Sequence, residues 1–232
     1  MIIIVIPVRN EEQLIEKTLA SLKNKLSREH KIIVIDDFST DKTREAVEKL
    51  MVSNKSIELT ANTFKAGIAG ALRSGFARMD ERSLAVPVMG DSCDEPETIE
   101  RMYTKILDGY DIVCGSRYVN NGKRIGKRSL KGLISKLLNK FIQFVSKIPC
   151  SDLTNSFKMY QAEVLKNIDI ESKGFEISVE LLLKAYFSGY KITEVSTIWR
   201  AREKGKSKFH IFNDGYRYIK WIIFAMQNRL TS

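Results

Sequence analysis

Apolar residues occur along the chain first as short unbroken runs and then at wider, regular spacing, and the two patterns alternate. The run "MIIIVIPV" at residues 1–8 is continuous and rich in β-branched side chains, which is typical of a strand buried on both faces. Residues 11–26 follow with apolar side chains at helical spacing. This alternation continues to residue 117, and it predicts an α/β fold with a mostly parallel central sheet covered by helices on both faces.

The remaining elements predicted in this first part are strands at 31–39, 57–62, 83–89 and 111–117, and helices at 41–52, 66–79 and 96–108. After residue 117 the pattern predicts a basic loop, an amphipathic helix at 129–148, a strand near 155–161, a helix near 175–188 and a strand at 191–199. An apolar, aromatic-rich helix then follows at 213–229. We divide the chain into a catalytic domain at 1–212, which includes the amphipathic helix, and a C-terminal helical segment at 213–232.

The amphipathic helix lies within a segment of unusual charge. The chain has 232 residues and a net charge of +10, and nine basic residues but no acidic residue lie between Ile112 and Ser151. Such a segment favours an anionic partner, and a helix of this kind can lie at an anionic membrane surface. The same periodicity also fits a helix that packs on the sheet with its lysines in water, and periodicity does not separate the two interpretations.

The cysteines and the N-terminus bear on the compartment. The three cysteines, Cys93, Cys114 and Cys150, are odd in number and far apart, so neither a disulfide framework nor a cysteine metal site is expected. The first apolar run is too short for a membrane span and has no basic start or small-residue cleavage site. These features favour a cytoplasmic protein.

Charged residues follow several predicted strands where each strand ends. Arg9 and Glu11 follow the first strand, Asp37 ends the second, and Asp91 and Asp94 follow the fourth. Ligands of open α/β sheets bind at the carboxyl ends of the strands, and carboxylates there suit Mg²⁺ or Mn²⁺ with bound phosphate oxygens. Asp94 fits a helix cap as well as a metal ligand, whereas Asp91 comes too early for a cap. The first strand is not followed by G-x-G-x-x-G, which disfavours a dinucleotide-binding fold.

Six stretches together carry a family resemblance: "VIPVRNEE", "VIDDFSTDKT", "VMGDSCDEPE", "GSRYVNNG", "DLTNSFKMY" and "GFEISVELLLKAYFSGYKITEVSTIWRAREKGKSKF". They resemble family 2 glycosyltransferases of the GT-A (nucleotide-diphospho-sugar transferase) fold, in particular the dolichyl-phosphate and polyprenyl-phosphate sugar synthases. The resemblance covers residues 1 to about 210. It implies a nucleotide-diphosphate sugar donor, a dolichyl or polyprenyl phosphate acceptor, Mg²⁺ or Mn²⁺ as cofactor, and peripheral attachment to the cytoplasmic face of a membrane.

The resemblance also implies roles for the positions that match the motifs. The implied nucleotide-binding residues are Pro7, Arg9, Glu11, Asp37 and Lys65. The implied metal ligands are Asp91 and Asp94, and the implied catalytic residues are Asp91, Arg117 and Arg202. The implied acceptor-phosphate residues are Arg117, Lys131 and Ser135, and we add Arg128 to them from its position on the predicted helix.

The sequence departs from the family pattern at several of these motifs. Met89 replaces the first aspartate of the usual D-x-D, and Phe38 and Phe64 replace usual glycines. Lys131 stands where the branch places an arginine, so the bidentate fork of a guanidinium is lost there. Arg128, three residues earlier on the same predicted helical face, is a candidate to compensate.

The choice of acceptor follows from the scarcity of candidate bases. An alcohol acceptor needs a carboxylate or histidine to take its proton, and the chain has only two histidines, His30, interpreted as a surface residue, and His210, interpreted as structural. A phosphate acceptor is already ionised and needs none. The alternatives are a family 2 transferase with a hydroxyl acceptor, in surface polysaccharide or glycolipid synthesis, and, more remotely, a nucleic-acid-binding module. We expect no nucleic acid partner, because the basic segment lacks regularly placed stacking aromatics.

Overall fold

The structure is a computed structural model that describes residues 1–126, 130–202, 204, 208–210 and 214–230. Its strands are β1 (Ile2–Val8), β2 (His30–Asp36), β3 (Ile57–Ala61), β4 (Leu84–Pro87), β5 (Ile112–Ser116), β6 (Lys123–Ile125), β7 (Lys158–Gln161), β8 (Ile192–Ser196) and β9 (Ile198–Arg200). Its helices are α1 (Ile15–Lys25), α2 (Thr43–Ser53), α3 (Ile68–Phe76), α4 (Thr98–Leu107), α5 (Leu130–Ser146), α6 (Ala162–Asn167), α7 (Ile177–Phe187) and α8 (Arg217–Leu230).

The central sheet confirms the predicted α/β architecture. In the described part of the chain it has seven strands in the order β3-β2-β1-β4-β7-β5-β8. All neighbours are parallel except β7, which runs antiparallel to both β4 and β5. The strand order changes direction between β1 and β4, and a crevice forms at the carboxyl ends of strands at such a point.

Both faces of the sheet are covered, which explains the unbroken apolar runs. Alternate residues of β1 point to opposite sides, so Ile3 and Val5 belong to one buried cluster while Ile4 and Ile6 belong to the other. Helices α1, α2 and α4 contribute to the second cluster, and α3, α5, α6, α7 and α8 contribute to the first. Trp221 of α8 is buried in this first cluster, so the C-terminal helix packs on the rest of the fold.

The segment predicted as one strand at 191–199 is divided in the structure, and this prediction was wrong. β8 pairs with β5 in the central sheet, whereas β9 pairs in parallel with β6 in a separate two-stranded sheet. β6 lies in the segment predicted as a basic loop. The residue between β8 and β9, Thr197, is buried, and its N–H donates to the carbonyl of Ser116. The short ladder therefore brings the segment after β5 against the segment that leads to Arg202.

Helix α5 buries a mixed polar and apolar face and leaves part of its apolar face exposed. Five apolar side chains on it are exposed, and we call them the apolar row of α5: Leu130, Leu133, Leu137, Phe141 and Phe144. Its buried residues are Asn139, Ile142 and Ser146. The interpretation in which the whole apolar face packs on the sheet is therefore wrong for this row, although Leu138 and Val145 at its margin do pack against the core.

Candidate active site

A cavity of about 710 Å³ lies at the carboxyl ends of β1, β4 and β5. It is lined by most of the residues to which the sequence assigned roles: Pro7, Arg9, Glu11, Asp37, Asp91, Asp94, Arg117, Lys131, Ser135 and Arg202. Lys65 lies outside the cavity lining and is exposed. Arg128 lies outside the described residues. The fold therefore brings together, at the carboxyl ends of the strands, side chains that are more than 190 residues apart in sequence, such as Glu11 and Arg202.

Asp37 is fixed at one end of the cavity. Its carboxylate accepts hydrogen bonds from Asn62 Nδ2 at 2.6 Å and from the backbone N–H of Gly67 at 3.0 Å. Gly67 has φ +124°, a conformation that a glycine adopts without steric cost, and it immediately precedes α3. Arg9, which is half exposed, lies 3.8 Å from the same carboxylate. This end therefore offers a hydrogen-bonded, buried carboxylate, Asp37, beside a half-exposed cation, Arg9.

Asp91 and Asp94 follow β4 closely, and the negative charges of their two carboxylates repel each other. Burial of the Asp94 carboxyl and the neighbouring Asp91 carboxylate raise the pKa of Asp94 to about 7. Asp94 accepts a hydrogen bond from the backbone N–H of Met89, which lies before it, and α4 begins only at Thr98. The capping interpretation of Asp94 is therefore wrong. Two carboxylates that repel each other at a strand end fit a divalent cation, because its charge would offset the repulsion.

Arg202 joins two strand ends by ion pairs. Its guanidinium donates to Glu11 at 2.9 and 3.1 Å and to Asp91 at 3.3 Å. Lys208 donates to the same Glu11 carboxylate at 2.8 Å. The sequence assigned Arg202 to phosphates, and in the structure its recorded partners are these carboxylates. Among the described residues, no group of three or more His, Cys, Asp or Glu side chains is arranged to hold a metal ion.

Arg117 is held by a carboxylate that the sequence analysis missed. Its Nε and one terminal nitrogen each donate to Asp152 at 2.7 Å, and its backbone N–H donates to the same carboxylate at 3.0 Å. Both side chains are nearly inaccessible, with 8% and 0% exposed. Burial disfavours the charge of Arg117, but Asp152 outweighs burial and raises the pKa of Arg117 above its usual value. The guanidinium is thus permanently charged and held in one orientation.

A buried polar network connects this ion pair to helix α5. Asn139 of α5 is fully buried, and its Nδ2 lies 2.9 Å from Thr154 Oγ1 and 3.4 Å from Asp152. Its side-chain carbonyl accepts from the backbone N–H of Thr154 at 2.9 Å. The hydroxyls of Ser135 and Thr154 lie 2.9 Å apart. Ser135 and Asn139 therefore fix α5 to the loop that carries Asp152, which explains why these two polar residues of the helix face inward.

Basic residues gather where α5 begins. Lys131 Nζ donates to the carbonyl of Phe209 at 2.5 Å. Arg124 of β6 also lines the cavity, with its guanidinium 4.4 Å from the ring centroid of Trp199 on β9. The sequence analysis did not assign a role to Arg124. Its place in the acid-free segment was the available signal, but only the pairing of β6 with β9 brings it to the cavity.

Next to this end of the cavity, α5 and α8 each expose apolar side chains. The exposed apolar residues of α8 are Ile219, Ile223, Met226 and Leu230. The two helices contact each other, and Arg229 near the end of α8 donates to the carbonyls of Phe144 and Val145 near the end of α5. Exposed apolar side chains clustered on neighbouring elements mark an interaction surface more often than chance.

Within the described ranges, we find no helix with the length and apolar character that crossing a bilayer requires.

Comparison with known proteins identifies the family and the fold. The sequence profile described as "Glycosyl transferase family 2" matches residues 3–169. A crystal structure of glucosyl-3-phosphoglycerate synthase from Mycobacterium tuberculosis, in complex with Mn²⁺, uridine diphosphate and phosphoglyceric acid, has a TM-score of 0.74 and 16% identity. The alignment covers 97% of this chain and 78% of that one. This similarity places the architecture among GT-A folds.

Two curated relatives are similar over most of their own length. Polyprenol monophosphomannose synthase of Mycolicibacterium smegmatis is 28% identical over 98% of this chain and 88% of that protein. Undecaprenyl-phosphate mannosyltransferase of Micrococcus luteus is 29% identical over 89% of this chain and 86% of that protein.

Proposed function

The chain belongs to glycosyl transferase family 2, and we propose that it transfers a hexose from a nucleotide-diphosphate sugar to the phosphate of a polyprenyl or dolichyl phosphate, with inversion at the anomeric carbon. One observation carries the proposal. One cavity is lined both by carboxylates, Asp37, Asp91 and Asp94, and by basic residues, among them Arg117, Arg124 and Lys131, and it lies beside a helix whose apolar row faces outward. The names of the two mannosyltransferase relatives support it.

On the donor side, we assign the nucleotide to Pro7, Arg9, Glu11 and Asp37, and we retain Lys65 as a prediction although it lies outside the cavity lining. Asp91 and Asp94 would hold Mg²⁺ or Mn²⁺, which when bound neutralises the leaving diphosphate. The guanidinium of Arg202 forms ion pairs with Asp91 and Glu11. A donor phosphate that binds between these two carboxylates would therefore lie within reach of this guanidinium.

On the acceptor side, a phosphate monoester is already ionised, so the site must hold an anion and needs no base. Arg117 offers a fixed positive charge, because Asp152 holds its orientation. Lys131 and Ser135 lie one turn apart on α5 and both line the cavity. We retain Arg128 as a predicted contributor. Electrostatic stabilisation of the two phosphates is then the main catalytic contribution of the chain.

We infer that the protein binds peripherally to the cytoplasmic face of a membrane through α5 and α8. The apolar row of α5 supports this, since a side chain such as Phe144 is 69% exposed and loses water contact in a bilayer interface. The two exposed lysines Lys136 and Lys140 on the same helix would meet anionic headgroups. We also propose 1–212 as the catalytic domain and 213–232 as a C-terminal segment, of which the described helix α8 packs on the domain.

The test is product formation with matched acceptors. We expect the purified protein with Mn²⁺ to transfer sugar from UDP- or GDP-hexoses to a polyprenyl phosphate and give an acid-labile lipid phosphosugar. The polyprenol that lacks the phosphate should not react. Transfer to the polyprenol but not to its phosphate would instead favour a hydroxyl acceptor.

A variant at the proposed metal site extends the test. Asp91→Asn should lower turnover by about a hundredfold or more, because the leaving diphosphate loses its electrostatic support. Its thermal stability should be retained, since Asp91 is a partly exposed carboxylate at a strand end. The matched control is Asp80→Asn, at an exposed aspartate that is not part of the cavity lining, which should behave as wild type. Near wild-type turnover of Asp91→Asn at saturating Mn²⁺ would contradict metal ligation by Asp91.

A further inference from the structure

Arg124 is positioned on the cavity wall by its strand and its aromatic neighbour. In the parallel pair β6–β9, Arg124 stands directly opposite Trp199. Its guanidinium carbon lies 4.4 Å from the centroid of the indole ring, and both residues line the cavity. Stacking on an aromatic face uses the flat side of a guanidinium and leaves the N–H groups at its edge available for hydrogen bonds.

The positive charge of Arg124, unlike the charges of Arg117 and Arg202, is not paired with a carboxylate in the described ranges. Arg117 is neutralised by Asp152, and Arg202 is neutralised by Glu11 and Asp91. Arg124 lies over an uncharged aromatic ring, and within the described ranges no ion pair joins it to a carboxylate. Its positive charge is therefore not compensated by the part of the protein that the structure describes, which favours an anionic ligand.

Arg124 also lies against the helix that carries two proposed acceptor residues. A Cβ atom placed on Gly132 would lie 3.1 Å from Nη1 of Arg124 and 3.2 Å from its Cζ. Gly132 directly follows Lys131 and precedes Ser135 by three residues. The absence of a side chain at Gly132 thus leaves room for the guanidinium to lie close to α5 between these two residues.

We propose that Arg124 binds the acceptor phosphate with its guanidinium fork, and that Trp199 holds the fork in place. The ammonium group of Lys131 is a point charge, so it does not select the planar two-oxygen geometry that a guanidinium binds. Arg124 supplies that geometry at the same end of α5. This inference rests on the proposed function, because it assumes that the acceptor is a phosphate.

The test measures binding of a soluble acceptor analogue in the absence of turnover. Farnesyl phosphate and farnesol are titrated into the full chain, and binding is followed calorimetrically. We expect Arg124→Gln to weaken farnesyl phosphate binding by about ten- to a hundredfold, the usual range for a lost charge-assisted contact. Arg124→Lys should recover only part of the loss, since it keeps the charge but not the fork. UDP and GDP affinity with Mn²⁺ should stay within about twofold of wild type.

Two further variants test whether weaker binding is specific to the Arg124–Trp199 pair or follows from the loss of any arginine that lies over an aromatic ring. Trp199→Leu should weaken farnesyl phosphate binding although Arg124 is still present, because the aromatic ring that holds the guanidinium in place is lost. Arg28→Lys is the control for removing a stacked arginine, since Arg28 lies 4.0 Å from the ring centroid of Tyr103 and does not line the cavity. It should bind farnesyl phosphate as wild type does.

The outcomes distinguish this inference from the proposed function. Equal affinity of wild type and Arg124→Gln for farnesyl phosphate would overturn the role of Arg124 and leave the phosphate acceptor standing. If wild type bound farnesol as tightly as farnesyl phosphate, the phosphate acceptor itself would be wrong. If Arg124→Gln failed to fold, Trp199→Leu and Arg124→Lys would decide, and wild-type affinity in both would equally overturn the inference.

Discussion

Phe38 has a backbone conformation that suits a glycine better than an aromatic residue. Its φ is +58°, in the left-handed region, and its side chain is 55% exposed. A Cβ atom in this region crowds the following carbonyl oxygen, which costs about 1–2 kcal/mol for an ordinary residue. The neighbouring contacts keep the turn in place, since Ser39 N–H donates to Asp36 at 3.2 Å. The contacts at the end of β2, beside Asp37, therefore keep Phe38 in this strained backbone conformation.

Replacement of this residue should stabilise the protein. Phe38→Gly removes the strain but adds freedom to the unfolded chain, so we expect the free energy of unfolding to rise by about 0.5–1 kcal/mol. Urea denaturation measures the change. Phe38→Ala is the matched control, because it keeps a Cβ atom and should show no such gain. A gain of equal size in both variants would mean that the aromatic ring, and not the backbone, is the source of strain.

Asp152 is a single residue on which the orientation of Arg117 depends. Both partners are inaccessible, so removal of the carboxylate leaves a buried charge without compensation. We expect Asp152→Asn to lower the free energy of unfolding by about 3 kcal/mol, measured by chemical denaturation. Asp108→Asn breaks the exposed pair with Lys105 and should cost less than about 1 kcal/mol. The double variant Arg117→Met/Asp152→Asn should recover part of the stability, and a strictly additive loss would contradict the coupling.

At the scale of elements, helix α5 exposes a row of apolar side chains and buries the polar residues Asn139 and Ser146 together with Ile142. Its apolar row faces outward, while Asn139 is buried among hydrogen bonds to Thr154 and Asp152. The hydrogen bonds remove the cost of burying the amide, and they fix which side of the helix faces the protein. The exposed apolar row is then available for contact with another apolar environment, such as a membrane interface.

The apolar row should contribute to membrane binding but not to stability. We expect Leu133→Ser/Phe141→Ser to reduce sedimentation with phospholipid vesicles, because two exposed side chains that would enter the interface are lost. The free energy of unfolding should change by less than about 1 kcal/mol, since both side chains are at least half exposed in the protein. Leu107→Ser, at an exposed leucine of α4, is the control and should sediment as wild type. Unchanged sedimentation of the double variant would contradict the role of the row.

Sequence patterns predicted the elements well where the reason for the pattern is local. Strand β1 was predicted because a strand buried on both faces has a continuous apolar run, and residues such as Glu11 and Asp91 were found because strand ends meet in one crevice. The inward side of α5 was not predictable, because an amphipathic period does not tell which face the protein buries. The role of Asp152 in fixing Arg117 was missed for a similar reason, since that contact depends on tertiary packing.

At the scale of the whole molecule, the most basic segment of the chain also carries the exposed apolar row of α5. The net charge of +10 is concentrated by the nine basic residues and the absence of acids between Ile112 and Ser151. Helix α5 lies in this segment, so the apolar row is accompanied by exposed lysines, Lys136 and Lys140. An anionic bilayer would attract these lysines while the row enters the interface, and this would bring the acceptor end of the cavity towards a lipid-borne phosphate.

The membrane interaction should therefore depend on both lipid charge and salt. Each basic side chain near an anionic surface contributes about 1 kcal/mol, and salt screens this attraction. We expect tighter binding to vesicles that contain phosphatidylglycerol than to pure phosphatidylcholine vesicles, with the difference falling as NaCl rises from about 0.05 to 0.5 M. Lys136→Gln/Lys140→Gln should weaken partitioning into anionic vesicles by roughly thirtyfold, because two such contributions are lost.

The control for charge placement is Lys49→Gln/Lys55→Gln, which removes two exposed lysines near helix α2, away from α5. The same loss of net charge should then have little effect on vesicle binding. If both double variants weakened binding equally, attraction would come from the total charge of the protein and not from an oriented surface. Equal binding of wild type to neutral and anionic vesicles would contradict the electrostatic contribution altogether, and membrane attachment would then rest on the apolar side chains of α5 and α8 alone.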